Sequence, residues 1–151
     1  MTAPLKTEHG INFSIAHAGA WRDLAQHVFR HAAMGDVRGK LFLKEPLQLT
    51  GMEISLGTIP AGRGTPFTHR HRENEEVYIF VKGRGQFQVD DKILEVREGT
   101  VIRVACAGVR AWRNNSSEPL HYIVIQAKSG TLANGTITDG AVVSEKVSWS
   151  D

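Results

Sequence analysis

The sequence predicts an all-β fold, one antiparallel sandwich or barrel with a short N-terminal helical extension. Two observations carry this. From Lys40 onward, short apolar runs alternate with turn signals about every 8–12 residues, the rhythm of successive strands. Nothing after Gly39 holds apolar residues at helical spacing long enough for a helix of ordinary length.

The elements follow in order. Residues 1–18 read as an irregular arm. Trp21, Leu24, Val28 and Ala32 fall at helical spacing, which predicts one amphipathic helix over 21–34. Gly35 and Gly39 close that extension, so 1–39 is assigned as arm plus helix. The body, 40–127, reads as strands at KLFL (40–43), MEISLGTI (52–59), FTHRH (67–71), EVYIFV (76–81), GQFQV (85–89), KILEV (92–96), TVIRV (100–104), AWRN (111–114) and LHYIVIQA (120–127). Asp90-Asp91 suits a tight hairpin, and Gly83 and Gly85 supply permissive backbone for another. Residues 128–151 form a small, polar tail with one further candidate strand in AVVSEKVSW.

At 151 residues the chain makes one domain. Its net charge of +2 is scattered, which gives no electrostatic reason to expect nucleic acid or membrane as a partner. No run approaches ~18 apolar residues, and MTAPLKTEHGINFSI lacks a signal-peptide pattern. Cys106 is the sole cysteine, so an intrachain disulfide is excluded and a reducing, cytoplasmic setting is expected.

The chemistry concentrates in HRHRENEEVYIFVKG, residues 69–83. On extended chain, residues i and i+2 face one way about 6.6 Å apart, so His69 and His71 can aim both imidazoles at one point. RENE then reads as a turn, and the returning strand brings Glu75 or Glu76 opposite them. Two imidazoles and a carboxylate make a site for a divalent transition metal. A solvated rim of His, Glu and Arg is the alternative. The apolar strand that follows favours the metal, because burying those groups without partners is costly.

This segment resembles the first motif of the cupin superfamily: a glycine, about five residues, HxH, three or four residues, a glutamate, six residues and a glycine. His69, His71, Glu76 and Gly83 match, with Gly62 or Gly64 one position off as the leading glycine. The spacing to Gly83 selects Glu76 over Glu75. The second motif aligns less well: Gly99, Gly108 and Asn115 fit, whereas its histidine, the family's usual last metal ligand, falls on Ala111.

The resemblance implies a double-stranded β-helix, or jelly-roll barrel, binding a small polar molecule in its mouth. It also implies dioxygenase, isomerase, decarboxylase or lyase chemistry on iron, manganese, nickel or zinc held by His69, His71 and Glu76. No nucleotide cofactor is expected. The loss at Ala111 leaves three routes open: a three-ligand site, rescue by His121, or a metal-free, non-enzymatic ligand pocket. Arg110 and Arg113 are candidate binding groups for a carboxylate or phosphate, against the alternative of a charged surface strand. Tyr78, Phe80 and Phe87 read as core, with Tyr78 also a candidate to line the cavity. Strand 76–81 is apolar on both parities and so needs cover on both faces, which, with the family's habit, predicts a homodimer.

Overall fold

The computed structural model describes residues 4–150, so residues 1–3 of the arm and residue 151 of the tail lie outside the described residues. The fold is mostly β. The arm holds a hairpin of β1 (Lys6–His9) and β2 (Ser14–His17), followed by a 3-10 helix, Trp21–Gln26. A second hairpin, β3 (Val28–His31) with β4 (Gly35–Arg38), leads into β5 (Lys40–Phe42). One turn of helix, α1 (Lys44–Leu47), precedes β6 (Glu53–Ile59). Then come β7 (Asn74–Lys82), β8 (Arg84–Val89), β9 (Lys92–Arg97), β10 (Val101–Val104), β11 (Arg110–Arg113) and β12 (Leu120–Lys128).

Two antiparallel sheets form the body. One has five strands in the order β10-β7-β12-β6-β5, the other three in the order β11-β8-β9. Alternation along the strands supplies the core. On β7, Glu76, Tyr78 and Phe80 are buried while Val77, Ile79 and Val81 are half-buried on the opposite face. Phe87, Val96 and Trp112 from the smaller sheet join Tyr78, Phe80, Tyr122 and Val124 from the larger in one apolar cluster. Its aromatic rings meet mostly edge to face, with Tyr78 4.8 Å from Phe87 and 5.0 Å from Trp112 between centroids. Gly83, with φ +89°, ends β7 where a Cβ would lie 2.5 Å from the Pro119 carbonyl oxygen, so only glycine fits there.

Three expectations are corrected. The helix expected over 21–34 is a 3-10 helix to Gln26 followed by the β3–β4 hairpin. No side chain caps its start at Ala20. The β-branched and aromatic pair Val28-Phe29 instead extends, which sets Phe29 4.6 Å from Phe42. FTHRH is not a ladder strand. It follows an irregular path tied to β11 by a single bridge, with His69 N–H donating to Arg110 O and Arg110 N–H to His69 O. In the tail, AVVSEKVSW forms no strand, and Val142, Val143 and Trp149 are exposed. Among the described residues, no helix is long and apolar enough to cross a membrane.

Candidate metal centre

Glu76 sits on β7 of the five-stranded sheet, between β12 and the edge strand β10, and is 4% exposed. Glu75, on the other parity, faces outward and binds Arg103 at 2.7 Å. Sheet pairing thus sets on opposite faces the two glutamates between which strand parity alone did not choose. His69 and His71 approach from the irregular segment. His69 is held by its bridge to Arg110, and His71 by its N–H donating to Cys106 O at 3.1 Å. The three side chains converge, each offering a donor atom within 4.8 Å of the others. His71 Nε2 lies 3.0 Å from Glu76 Oε1, but out of line for a hydrogen bond. His69 Nδ1 is also buried without a partner among the described residues.

The other carboxylate oxygen is fully engaged. Tyr78 Oη donates to Glu76 Oε2 at 2.5 Å, and Arg110 donates to it from Nε at 3.1 Å and Nη2 at 2.6 Å. Arg110 is 0% exposed, and its Nη1 donates to Gly108 O. Burial by itself would raise the Glu76 carboxyl. The hydrogen bonds from Tyr78 and Arg110, with the Arg110 charge, outweigh it and hold that carboxyl below its ordinary value. Burial and the same carboxylate push the Tyr78 phenol up. Burial, reinforced by Arg110, pulls His69 down, which favours the neutral imidazole that a metal needs. The donor set, with His71 Nε2 unpartnered beside Glu76 Oε1 and His69 Nε2 3.9 Å from Glu76 Oε2, therefore fits a divalent transition metal.

The triad forms one wall of a cavity of about 640 Å³. Phe29, Met34 and Val37 of the β3–β4 hairpin and Phe67 of the irregular segment complete it. The sequence reading assigned that hairpin to a helix and so missed its place at the cavity. The strand pattern of 28–31 and Gly35 at the turn were the available signal.

The remaining predicted residues separate. Tyr78 lines the cavity beside Glu76. Arg110 lies beneath Glu76 rather than at the mouth. Arg113 faces outward and donates from Nε and Nη2 to Gln86 Oε1. Ala111 shares that outward parity and does not line the cavity. His121 does not reach the triad: it is buried on β12 with its ring 5.7 Å from Trp21 of the 3-10 helix. Asn114, 1% exposed, donates to Ile59 O and Glu118 O, whereas Asn115 is exposed.

Comparison with known proteins places this geometry. The family model described as a cupin domain matches residues 55–126. A crystal structure of a cupin protein from Bacteroides fragilis is 38% identical, covering 69% of this chain and 88% of its own, with a TM-score of 0.67. The chain belongs to the cupin superfamily. Lower identities extend the likeness in fold alone. A cupin 2 conserved barrel domain protein from Salinispora arenicola is 16% identical over 60% of this chain and 75% of its own, TM-score 0.53. A predicted oxalate decarboxylase from Thermotoga maritima is 18% identical over 68% of this chain and 90% of its own, TM-score 0.56. No curated protein sequence matches.

Proposed function

We propose that this cupin holds a divalent transition metal with His69, His71 and Glu76 and binds a small polar substrate beside it, as an enzyme of the dioxygenase, isomerase or lyase class. The observation that carries the reading is the convergence of three side chains whose donor atoms lie within 4.8 Å of one another, with His71 Nε2 beside Glu76 Oε1 left without a hydrogen-bond partner. Iron, manganese, nickel and zinc all suit such donors. When bound, the metal supplies Lewis acidity or activates oxygen or water. The chain's own part is to keep His69 neutral, to fix Glu76 so that Oε1 is the free oxygen, and to wall the site with Tyr78 and Trp112. The fold does not select among the reactions.

In this reading Arg110 stands where the second cupin motif carries its histidine. Arg110 and Asn114 both point inward and keep the motif's His-x3-Asn spacing one position before Ala111 and Asn115. The site then has three protein ligands and a guanidinium behind the carboxylate.

Elemental mass spectrometry on untagged protein, with His69→Ala and Glu76→Ala, tests the centre. Near-stoichiometric metal in the parent, lost in both variants, is the expected result. No metal after incubation with iron, manganese, nickel and zinc overturns it. One observation favours a second reading, a metal-free binding cupin: Arg110 already compensates the Glu76 charge at 2.6 Å. That reading requires ligands to raise thermal stability without metal.

Three further properties belong to the proposal. The two sheets close as a jelly-roll barrel around the shared core. The half-buried Cys106 suits a cytoplasmic setting. The chain is a homodimer: on the outer face of the larger sheet Leu41, Leu56, Ile123, Ile79 and Val101 form one cross-strand row. Ile54, Ile125 and Val77 form the next. An apolar face that broad calls for a partner surface.

A further inference from the structure

The charge lining the cavity is one-sided. Arg38, Lys40 and Arg63 contribute to the walls, against a single carboxylate, Glu76, which Arg110 already pairs. Arg38 and Arg63 are exposed at the rim, whereas Lys40 is half-buried.

The sheet places Lys40 through one cross-strand row. Lys40 on β5 pairs with Gly57 on β6, which pairs with Tyr122 on β12. Directly paired residues project from the same face. Gly57 has no side chain, and the Tyr122 ring takes that space: a Cβ there would lie 2.2 Å from Tyr122 Cζ. The Lys40 ammonium rests 5.2 Å from the centroids of both the Tyr122 and Phe42 rings, and both rings line the cavity. Among the described residues it has no carboxylate within 4.0 Å and no hydrogen-bond acceptor. Glu53, the next acidic group along this part of the sheet, accepts from the Leu43 and Lys44 backbone N–H groups instead. Two ring faces attract an ammonium, but they accept none of its three hydrogen bonds. Burial accordingly lowers Lys40 to about 8, against the raising influence of Glu76 and Glu53. A lysine placed only to pack its stem would carry its head out to water.

We propose that Lys40 anchors an anionic ligand, so that the cavity takes a small organic carboxylate with a carboxylate oxygen on the Lys40 ammonium and the rest of the molecule directed toward His69, His71 and Glu76. The cavity, about 640 Å³, is within the range for a small metabolite. Charge-assisted hydrogen bonding of the anion supplies what the two rings do not. The proposal deepens the metal-centre reading, but its Lys40 end stands without a metal.

The test is calorimetric titration of acetate, malonate, glutarate and benzoate, each against its neutral amide. It uses parent, Lys40→Met and Lys40→Arg proteins, each both metal-loaded and chelator-treated. The expected result is that at least one carboxylate binds the parent while its amide does not. Lys40→Met then weakens binding tenfold or more, and Lys40→Arg restores most of it. In parallel, acetic anhydride labelling of the parent at pH 8, read by peptide mass spectrometry, should show Lys40 acylation slowed severalfold by the bound carboxylate. Equal affinity in Lys40→Met, equal binding of acid and amide, or no carboxylate binding at millimolar concentration overturns the proposal. Lys40-dependent binding in a protein that takes up no metal during loading sustains it while removing the metal-centre reading.

Discussion

Arg110 and Glu76 form a buried ion pair in which Nε and Nη2 both donate to the same carboxylate oxygen, at 3.1 and 2.6 Å. That geometry leaves Oε1 toward His71 and fixes the carboxylate plane, so the pair decides how the candidate metal centre is presented. It also sets the Arg110 guanidinium directly behind the candidate ligand Glu76.

Removing Arg110 therefore has two opposed effects. Arg110→Met leaves a buried carboxylate without its cation, a change that costs about 3–5 kcal/mol. Thermal or urea unfolding should show a large loss of stability. Arg110→His removes the repulsive charge and adds an imidazole on the inward parity. Its zinc affinity, measured by competition with a chromophoric chelator, should rise at least tenfold over the parent; unchanged affinity would mean that Arg110 lies too far back to matter.

Tyr78→Phe removes one hydrogen bond from Glu76 Oε2 while keeping the ring against Phe87 and Trp112. We expect a loss of about 1.5–3 kcal/mol, as for other hydrogen bonds to charged groups. Equilibrium denaturation measures it, and a loss near zero would show that Arg110 alone satisfies that oxygen.

Gly57→Ala places a methyl group where the Tyr122 ring lies. The ring is 4% exposed and must move, taking with it the surface under Lys40. Overpacking of this kind costs about 1–3 kcal/mol. A melting temperature equal to the parent's would show that the ring swings aside freely.

Lys40 also sets a pH dependence. Its folded value, about 8, lies below the ordinary 10.5. Above both values the group is neutral in both states and costs nothing. As pH falls from about 10.5 to 8 the unfolded chain takes up the proton first, so stability declines through that window and then levels. The parent should lose stability on going from pH 10.5 to 8, and Lys40→Met should lose that component. Identical profiles for the two proteins would count against a buried ammonium.

The outer face of the larger sheet predicts the assembly. Ile123→Glu puts a charge in the middle of its apolar row, beside Leu56 and Ile79. Sedimentation velocity should show a dimer for the parent at micromolar concentration and a monomer for the variant. A monomeric parent would sink the assignment.

Much of the strand order was legible because the signals are local. The apolar run of 76–81, Asp90-Asp91 at a turn and Gly83 at a strand end each depend on a few neighbouring residues. The triad was legible for the same reason, since HxH and a glutamate five residues on lie within one hairpin's reach. The helix expected at 21–34 shows the limit of this. Trp21, Leu24 and Val28 keep helical spacing, but the contact that prevails is Phe29 on Phe42, thirteen residues away.

The sequence by itself determined which residue types could meet: two imidazoles and a carboxylate at metal spacing, arginines beside Ala111, and an apolar strand on both parities. Only the tertiary structure decided which of them do. Arg110, not Ala111, faces the triad; His121 lies under Trp21; and Lys40 reaches the cavity across Gly57. The physical reason is the two-residue period of extended chain. A shift of one position exchanges every inward side chain for its outward neighbour, and only pairing with distant strands fixes that choice.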